Sequence, residues 1–249
     1  MQKQTIGNAT LFCGDALEIL PTIETGFDAL ITDPPYSSGG LHKGSRSMSP
    51  AQKYVNTTRY LDFSGDNRDQ RSWIMWSTLW LSMAARLVKP GGYVMTFTDW
   101  RQLPSTTDAI QAAGIHWRGI VPWDKTLSSR APHTGYFRHQ CEYVVWGSIG
   151  ILPKSQHGGP WPGLISQRVN PALKLHMTGK PLELMDKLVN PLGPKPRVLD
   201  PFMGSASTAL PVLRRGGKFT GIEMTQEYFD IACERIEEDL KLIQTGSAD

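Results

Sequence analysis

A short apolar run leads directly into Asp-Pro-Pro-Tyr in the segment Phe27-Asp28-Ala29-Leu30-Ile31-Thr32-Asp33-Pro34-Pro35-Tyr36. The run predicts a buried strand, and the tetrapeptide then lies just past its carboxyl end. In an open α/β sheet this edge is where ligands bind. Two consecutive prolines fix φ at about −65° and remove two backbone N–H donors. The tip therefore presents carbonyl oxygens, one carboxylate and one aromatic ring in a rigid arrangement.

Such a tip can accept hydrogen bonds and stack on a planar group, which suits the exocyclic amine of a nucleobase. Asp33 and the Pro34 carbonyl would accept the two N–H hydrogens while Tyr36 lies against the ring. Drawing those hydrogens toward acceptors localises the nitrogen lone pair and makes the amine a nucleophile. The motif alone leaves a second interpretation open, a proline-rich turn with a surface tyrosine.

Strands and helices alternate along the chain, which is typical of a mostly parallel sheet covered by helices on both faces. Seven strands are predicted, at Ala9 to Cys13, Asp28 to Thr32, Gly92 to Thr98, His116 to Trp123, Cys141 to Trp146, Arg197 to Leu199 and Lys218 to Ile222. Five helices are predicted, at Ser72 to Leu87, Arg101 to Ala113, Pro181 to Asn190, Ser207 to Arg215 and Gln226 to Ile243. The tryptophans Trp73, Trp76 and Trp80 recur at helical spacing, which indicates core packing.

A second strand, turn and helix signal lies at Arg197-Val198-Leu199-Asp200-Pro201-Phe202-Met203-Gly204-Ser205-Ala206-Ser207-Thr208. The small residues from Gly204 to Ala206 let a ligand approach the backbone and offer N–H groups to a carboxylate or phosphate. Glu223 ends the next predicted strand, as the acids that bind ribose hydroxyls do. A nicotinamide enzyme shares this arrangement, but Phe-x-Gly-x-Ala differs from GxGxxG. Alone, the turn is only a weak indication of a nucleoside cofactor.

In combination, these motifs resemble the DNA amino methyltransferases of the β arrangement, in which the catalytic half precedes the S-adenosylmethionine half. Between the two motifs stands a third, His176-Met177-Thr178-Gly179-Lys180-Pro181. The resemblance also includes residues 14–20, 87–92, 121–125 and 141–146. It implies an α/β domain over residues 1–246, with a single Rossmann-like, seven-stranded S-adenosylmethionine-dependent methyltransferase fold. Motif order would be permuted and DNA-recognition loops inserted.

Carried over residue by residue, the resemblance implies that a catalytic tip holds the target base. This tip is formed by Asp33, Pro34, Pro35 and Tyr36. It implies a cofactor site formed by Asp15, Ala16, Asp33, Lys180, Pro181, Asp200, Pro201, Phe202, Gly204, Ser205 and Glu223. Structural alternatives stay open: Asp15 could cap a helix, Glu223 could end a strand in solvent, and Lys180 could be a surface cation.

Two places depart from the family pattern. Ala206 stands where a second glycine is usual, and Met177 and Gly179 stand where Pro and Gln are common. If φ at Ala206 is negative, alanine in place of the usual glycine costs little stability. A positive φ there would strain the turn by about 1 kcal/mol or more.

Methylation of an amine requires alignment of nitrogen, methyl carbon and sulfur, and needs neither a metal nor a strong base. We therefore expect no metal site, and His133, His139 and His157 match no ligand spacing. No cysteine follows a proline, so methylation of a cytosine ring carbon has no nucleophile. Because a base inside a duplex cannot reach such a pocket, base flipping is implied.

The first residue of the tetrapeptide bears on the identity of the base, although Asp occurs there in both groups of enzymes. Asp33 favours adenine N6 over cytosine N4, because the N4 enzymes of this arrangement more often carry Ser there. A catalytically silent DNA-binding protein of the same fold is a further alternative, against which the intact motifs argue. Glutamine and small-molecule N-methyltransferases share a related Pro-Pro-Tyr tip but usually place the cofactor turn before it.

The net charge of +3 is too small to indicate a nucleic-acid partner, but it is unevenly distributed. Residues 37–61 hold four basic and no acidic residues, residues 101–180 nine basic and three acidic, and residues 209–249 five basic and eight acidic. This uneven distribution favours a protein with one face toward double-stranded DNA. We expect residues 37–71 to form a basic loop over the active site and residues 125–175 to recognise the target sequence. The predicted DNA contacts are Lys43, Arg46, Lys53, Arg59, Arg130, Arg138 and Arg168. Homodimer formation, or a short recognition sequence, would compensate for the short recognition region.

The chain of 249 residues is 40% hydrophobic and 20% charged, which suffices for one large core. No run approaches the ~18 apolar residues of a membrane span, and the first residues lack a signal pattern. We therefore expect no membrane partner and a cytoplasmic protein, and the family resemblance implies a bacterial or phage-encoded one. Cys13, Cys141 and Cys233 form no CxxC pair, so neither a disulfide framework nor a zinc site is predicted.

Overall fold

A computed structural model describes residues 2–36, 68–129, 133–154, 158–169 and 179–244 of the chain. The strands are β1 Gln2–Ile6, β2 Ala9–Cys13, β3 Phe27–Thr32, β4 Val88–Thr98, β5 His116–Asp124, β6 Cys141–Ser148, β7 Ile165–Ser166, β8 Arg197–Asp200 and β9 Lys218–Glu223. The helices are α1 Ala16–Ile19, α2 Gln70–Ala85, α3 Leu103–Ala112, α4 Leu182–Val189, α5 Ala209–Arg214 and α6 Gln226–Gln244.

The strands form one sheet in the order β1-β2-β9-β8-β3-β4-β6-β5-β7. Five successive strands of the sheet, β2, β9, β8, β3 and β4, are parallel. In contrast, β6 runs antiparallel to both of its neighbours, β4 and β5. The β5 strand therefore points the same way as β3 and β4. As a result, the carboxyl ends of β3, β4, β5, β8 and β9 and the amino end of β6 share one edge of the sheet.

All seven predicted strands are present, and the sheet has two further strands at its edges. The β1 strand pairs antiparallel with β2 through Ile6 and Ala9, across the turn residues Gly7 and Asn8. Its only buried residue is Ile6, so it lacks the apolar alternation that predicts a strand. The Gly7-Asn8 dipeptide, which is typical of a two-residue hairpin turn, could have predicted the pairing of β1 with β2. The β7 strand has two residues, too few to show any period.

The five predicted helices are present with small differences at their ends. The α2 helix begins at Gln70, because the Asp69 carboxylate accepts hydrogen bonds from the backbone N–H groups of Arg71 and Ser72. The end of the predicted loop 37–71 is therefore helical. The α1 helix, four residues long, was not predicted.

Two hydrophobic cores lie on opposite faces of the sheet. The β3 strand contributes to both, with Ala29 and Ile31 in one core and Leu30 in the other. Phe27 lies in the same core as Leu30, because the strand register shifts between Phe27 and Ala29. The first core is covered by α4, α5 and α6, and the second by α1, α2 and α3. Because both faces are covered, the central strands read as apolar runs without polar alternation.

No helix in the part of the chain that the structure describes is both long and apolar enough for a membrane span.

Candidate active site

The predicted catalytic tip lies at the carboxyl edge of the sheet, directly after β3. There the Asp33 Oδ2 atom is 2.5 Å from Lys180 Nζ. The Lys180 side chain is only 5% exposed, so it is not the surface cation that the sequence left open. It also lies 4.9 Å from the centre of the Phe97 ring.

The Lys180 ammonium has a second carboxylate partner in Glu142, with Nζ and Oε2 3.2 Å apart. Glu142 in turn contacts Lys125, whose Nζ lies 3.1 Å from Oε1. Burial lowers the pKa of Lys180, but the charges of Asp33 and Glu142 outweigh it and the net direction is upward. Burial raises the pKa of Glu142, but Lys180 and Lys125 outweigh it and the net direction is downward. Lys180 and Glu142 are therefore both held in their charged forms.

The Asp-Pro-Pro-Tyr tip is fastened to α2. The indole Nε1 of Trp73 donates a hydrogen bond to the Pro35 carbonyl oxygen at 2.8 Å. Trp73 and Trp80 are each 1% exposed, which confirms the core packing predicted for these tryptophans. The predicted cofactor residue Phe202 packs against two rings of α2, with centroids 5.3 Å from Trp76 and 5.0 Å from Trp80. One helix thus supports both motifs.

Asp200 ends β8 with its carboxylate turned into the protein. It accepts hydrogen bonds from the hydroxyls of Thr32 and Thr208, each at 2.7 Å, and from the Phe202 backbone N–H at 3.1 Å. Burial raises the pKa of Asp200 to about 7, although these hydrogen bonds oppose the shift. In this arrangement the Asp200 side chain organises the turn that starts at the buried Pro201.

The turn after β8 contains two residues with positive φ, Gly204 at 52° and Ala206 at 61°. The left-handed conformation is easy for Gly204 but costs about 1–2 kcal/mol at Ala206, so the strained alternative considered for this position is the one that the structure shows. The buried Ser205 accepts a hydrogen bond at its carbonyl oxygen from Arg235 of α6 at 2.9 Å. That contact helps to fix the strained turn.

Glu223, predicted to bind ribose, closes the site at the end of β9. Its carboxylate accepts hydrogen bonds from the backbone N–H groups of Gly204 at 3.1 Å and Thr225 at 2.9 Å. Burial raises its pKa, so Glu223 is not a solvated strand end. The N–H of Gly204, which the sequence analysis offered to a ligand, is used by Glu223.

Asp15 caps α1, since its Oδ1 accepts a hydrogen bond from the Leu17 backbone N–H at 2.8 Å. The capping alternative is therefore present in the structure. Ala16 is buried at the start of the same helix. Pro181 immediately precedes α4, and Lys180 is the residue before it. The N–H of Gly14 donates to the carbonyl oxygen of Glu223 at 2.9 Å, which joins the ends of β2 and β9.

Two of the predicted DNA contacts, Arg138 and Arg168, belong to the described residues. Arg138 donates to the carbonyl oxygen of Ser129 at 2.9 Å, so one of its roles is to hold its own loop. His139 stacks on Trp100 with ring centroids 5.8 Å apart. The other predicted contacts, Lys43, Arg46, Lys53, Arg59 and Arg130, lie outside the described residues, as does His157. Among the described residues no cluster of His, Cys, Asp and Glu could hold a metal ion.

No role was predicted for Glu142 or Lys125, although both lie in segments that carry the family resemblance, residues 121–125 and 141–146. They end up beside Asp33 because β5 ends and β6 begins at the catalytic edge. Their positions beside the ends of predicted strands were the one indication in the sequence that these two residues could lie near the site. Which strands are neighbours, and hence which charges meet, was not predicted.

Comparisons with known proteins identify the family of this chain. The profile of the N6/N4 DNA methylase family, described as "DNA methylase", matches residues 27–158 and 149–234. The chain is 27% identical to the putative methylase YubD of Escherichia coli K12, over 94% of this chain and 93% of that protein. The M1.HpyAVI complex with S-adenosylmethionine has a TM-score of 0.67 at 23% identity, covering 92% of this chain and 98% of that one. PvuII DNA methyltransferase, described as cytosine-N4-specific, has a TM-score of 0.67 at 18% identity and covers 97% of this chain and 94% of that one.

These matches define the class of the protein: its fold is that of solved DNA methyltransferases. The chain belongs to the N6/N4 DNA methylase family, as the resemblance predicted.

Proposed function

We propose that this protein is a site-specific methyltransferase that transfers a methyl group from S-adenosylmethionine to the exocyclic N6 amine of adenine in double-stranded DNA. The observation that carries the proposal is the Asp33 carboxylate at the end of β3, paired with the buried Lys180 at 2.5 Å. A carboxylate held charged beside a rigid Pro-Pro-Tyr tip is a hydrogen-bond acceptor in a fixed place.

The tip divides its hydrogen-bonding groups between structure and substrate. The Pro35 carbonyl accepts from Trp73, which fixes the backbone of the tip. We assign acceptance of the amine hydrogens to Asp33 and to the Pro34 carbonyl, and stacking against the base to Tyr36. Two acceptors in these positions localise the nitrogen lone pair and point it away from themselves, which is the condition for nucleophilic attack.

The residues at the same edge fit S-adenosylmethionine. The carboxylate of Glu223 lies beside the backbone of a small-residue turn and suits hydroxyl groups of a ribose. Acidic groups at Asp33 and Glu223 suit a ligand that carries a positive charge. We assign the methionine part to the turn from Phe202 to Ser205, with Lys180 and Pro181 beside it, and the adenine to Asp15 and Ala16. When bound, S-adenosylmethionine supplies an electrophilic methyl group on a positively charged sulfur.

Asp200 and Pro201 contribute indirectly to this cofactor site. Since both oxygens of Asp200 accept hydrogen bonds within the chain, its role is to shape the turn that carries Phe202 and Gly204. A turn held on one side by Asp200 and on the other by Glu223 is organised before any ligand arrives.

Access to a base in a duplex requires flipping, which costs a few kcal/mol of unstacking. We assign the compensating contacts to the basic segments 37–71 and 125–175, where Arg138 and Arg168 lie on the described part. Phosphate contacts by basic residues position the duplex, and base contacts in a groove select the sequence.

The choice of adenine depends on the resemblance of the motif that begins with Asp33. A cytosine-N4-specific enzyme shares the fold, so cytosine N4 is the second candidate. Both amines present the same two hydrogens, and the acceptors that we assign to Asp33 and the Pro34 carbonyl would bind either amine. The experiment must therefore identify the base.

The test is transfer of a tritiated methyl group from S-adenosylmethionine to unmodified DNA, followed by digestion to nucleosides and identification of the labelled base. We expect the label in N6-methyladenine. The variant D33N keeps the shape of the side chain and removes its charge, and we expect it to lose transfer while it retains cofactor binding by calorimetry. The exposed acid Asp186, replaced by Asn, is the matched control and should stay active. Label confined to cytosine, or undiminished transfer by D33N, would overturn the assignment.

A further inference from the structure

Four charged side chains of alternating sign form a continuous chain behind the catalytic tip. From Lys125 Nζ to Glu142 Oε1 the distance is 3.1 Å, from Glu142 Oε2 to Lys180 Nζ it is 3.2 Å, and from Lys180 Nζ to Asp33 Oδ2 it is 2.5 Å. Each of these side chains is less than one-fifth exposed. Only Asp33 and Lys180 have a role in the proposed function, so the other two charges need an explanation.

Lys125, at the other end of this series of charges from Asp33, lies at the base of the β5–β6 loop, within the candidate recognition region. The Lys125 backbone N–H donates to the Gln140 carbonyl oxygen at 2.9 Å, which closes the loop at its base. Asp124 reinforces the closure, because its Oδ1 accepts from the Thr126 N–H and the Gln140 side chain, each at 2.7 Å. Lys125 is therefore held by backbone structure, and Glu142 is fixed near the amino end of β6, at the catalytic edge of the sheet.

The signs of the charges determine what Glu142 does to Asp33. Two cations and two carboxylates balance, so the buried group carries no net charge. A buried ammonium needs carboxylate partners to remain charged, and Lys180 has two. Because Glu142 takes part of the Lys180 charge, Asp33 keeps more of its capacity as an acceptor for the substrate amine than it would as the sole counter-ion.

We propose that Glu142 is a positioning residue for methyl transfer, which acts through Lys180 to fix the place and acceptor strength of the Asp33 carboxylate, with Lys125 anchoring Glu142 from the base of the recognition loop. The inference rests on the proposed function of Asp33. It adds a physical connection between the loop that would meet DNA and the carboxylate that would hold the base.

The decisive variant is Glu142→Gln, which keeps the shape of the side chain and removes its charge. Asp33 then becomes the only one of these two acids left to balance Lys180, and it binds the substrate amine less well. We expect kcat to fall by about tenfold to a hundredfold, while the Kd for S-adenosylmethionine and the KM for DNA change little. Asp186→Asn, an exposed acid that pairs with Arg215, is the matched control and should leave kcat unchanged.

The pH profile separates positioning from a merely structural role. Lys180 is faced by Asp33 from β3 and by Glu142 from β6, with Lys125 behind Glu142 and Asp200 near Asp33. Both acids raise the pKa of Lys180, so loss of one brings its deprotonation to lower pH. In E142Q the alkaline loss of kcat should therefore begin about one pH unit or more below that of the wild type.

A double variant keeps the inference testable where a single charge change unfolds the protein. Lys125→Met with Glu142→Gln removes one charge of each sign and restores the balance. Since Lys125 acts on Asp33 only through Glu142, and Asp33 still balances Lys180 without Glu142, we expect its kcat to stay below the wild type and close to that of E142Q, a non-additive result. If E142Q does not fold, a wild-type kcat in the double variant overturns the inference.

An E142Q protein with wild-type kcat and an unmoved alkaline limb would likewise overturn it. Failure of the proposed function looks different, because the wild-type protein would then transfer no methyl group to adenine or cytosine in any DNA.

Discussion

Lys180 and Asp33 are 147 positions apart in the chain, and their Nζ and Oδ2 atoms are 2.5 Å apart. The pair joins the two halves of the protein, since Asp33 follows β3 in the first half and Lys180 leads into α4 and the strands β8 and β9. Removing Lys180 takes away the ammonium that both Asp33 and Glu142 contact in this largely buried place. The contact therefore couples the candidate base-binding tip to the candidate cofactor site.

Lys180→Met removes the ammonium and keeps most of the side-chain volume. We expect the free energy of unfolding to fall by about 3–5 kcal/mol, because the Asp33 and Glu142 carboxylates would lose the ammonium that lies between them. Urea denaturation measures the loss, and Lys180→Arg, which keeps the charge, is the control. A loss below about 1 kcal/mol for K180M would mean that the pair is solvated and weak.

The same pair shows how far the sequence predicts this molecule. The apolar run before Asp33 and the turn after Asp200 predicted two central strands and the edge where both motifs lie, and the family resemblance supplied the candidate residues. The partner of Lys180 was not predictable, because it depends on strand order and on a contact across more than half of the chain. The positive φ of Ala206 likewise depends on the tertiary structure, and the residue type argues against it.

Asp200 should make stability depend on pH. Burial raises its pKa from 3.8 to about 7 in the folded protein, so between these values the folded state binds a proton that the unfolded state has lost. The contribution of Asp200 to stability is therefore greatest at low pH and declines as the pH rises to about 7, above which it is constant. Asp200→Asn mimics the protonated form at every pH.

Denaturation of both proteins between pH 5 and 8 checks this expectation. The stability of D200N relative to the wild type should increase from pH 5 to pH 7 and then level off. A difference that is the same at every pH would show that Asp200 is ionised, or neutral, throughout this range.

Trp73→Phe removes the N–H that holds the Pro35 carbonyl and keeps an aromatic ring. We expect a loss of about 1 kcal/mol of stability from the hydrogen bond, and a fall in kcat because the tip loses its support. Trp80→Phe is the matched control, since Trp80 Nε1 has no hydrogen-bond partner among the described residues. Equal kcat values for W73F and W80F would show that the hydrogen bond does not support the tip.

Charge reversal at Lys43 and Arg46 tests the basic segment that follows the catalytic tip in the sequence. If both residues contact phosphates, the double variant should bind DNA more weakly, and the slope of log K against log salt should decrease in magnitude by about two. Charge reversal at Lys218 and Lys241, both exposed, is the control with the same change in net charge. Lys218 begins β9 and so lies at the sheet edge opposite the site. A salt slope that changes equally in both variants would reflect net charge alone, and it would remove the segment containing Lys43 and Arg46 from the DNA interface.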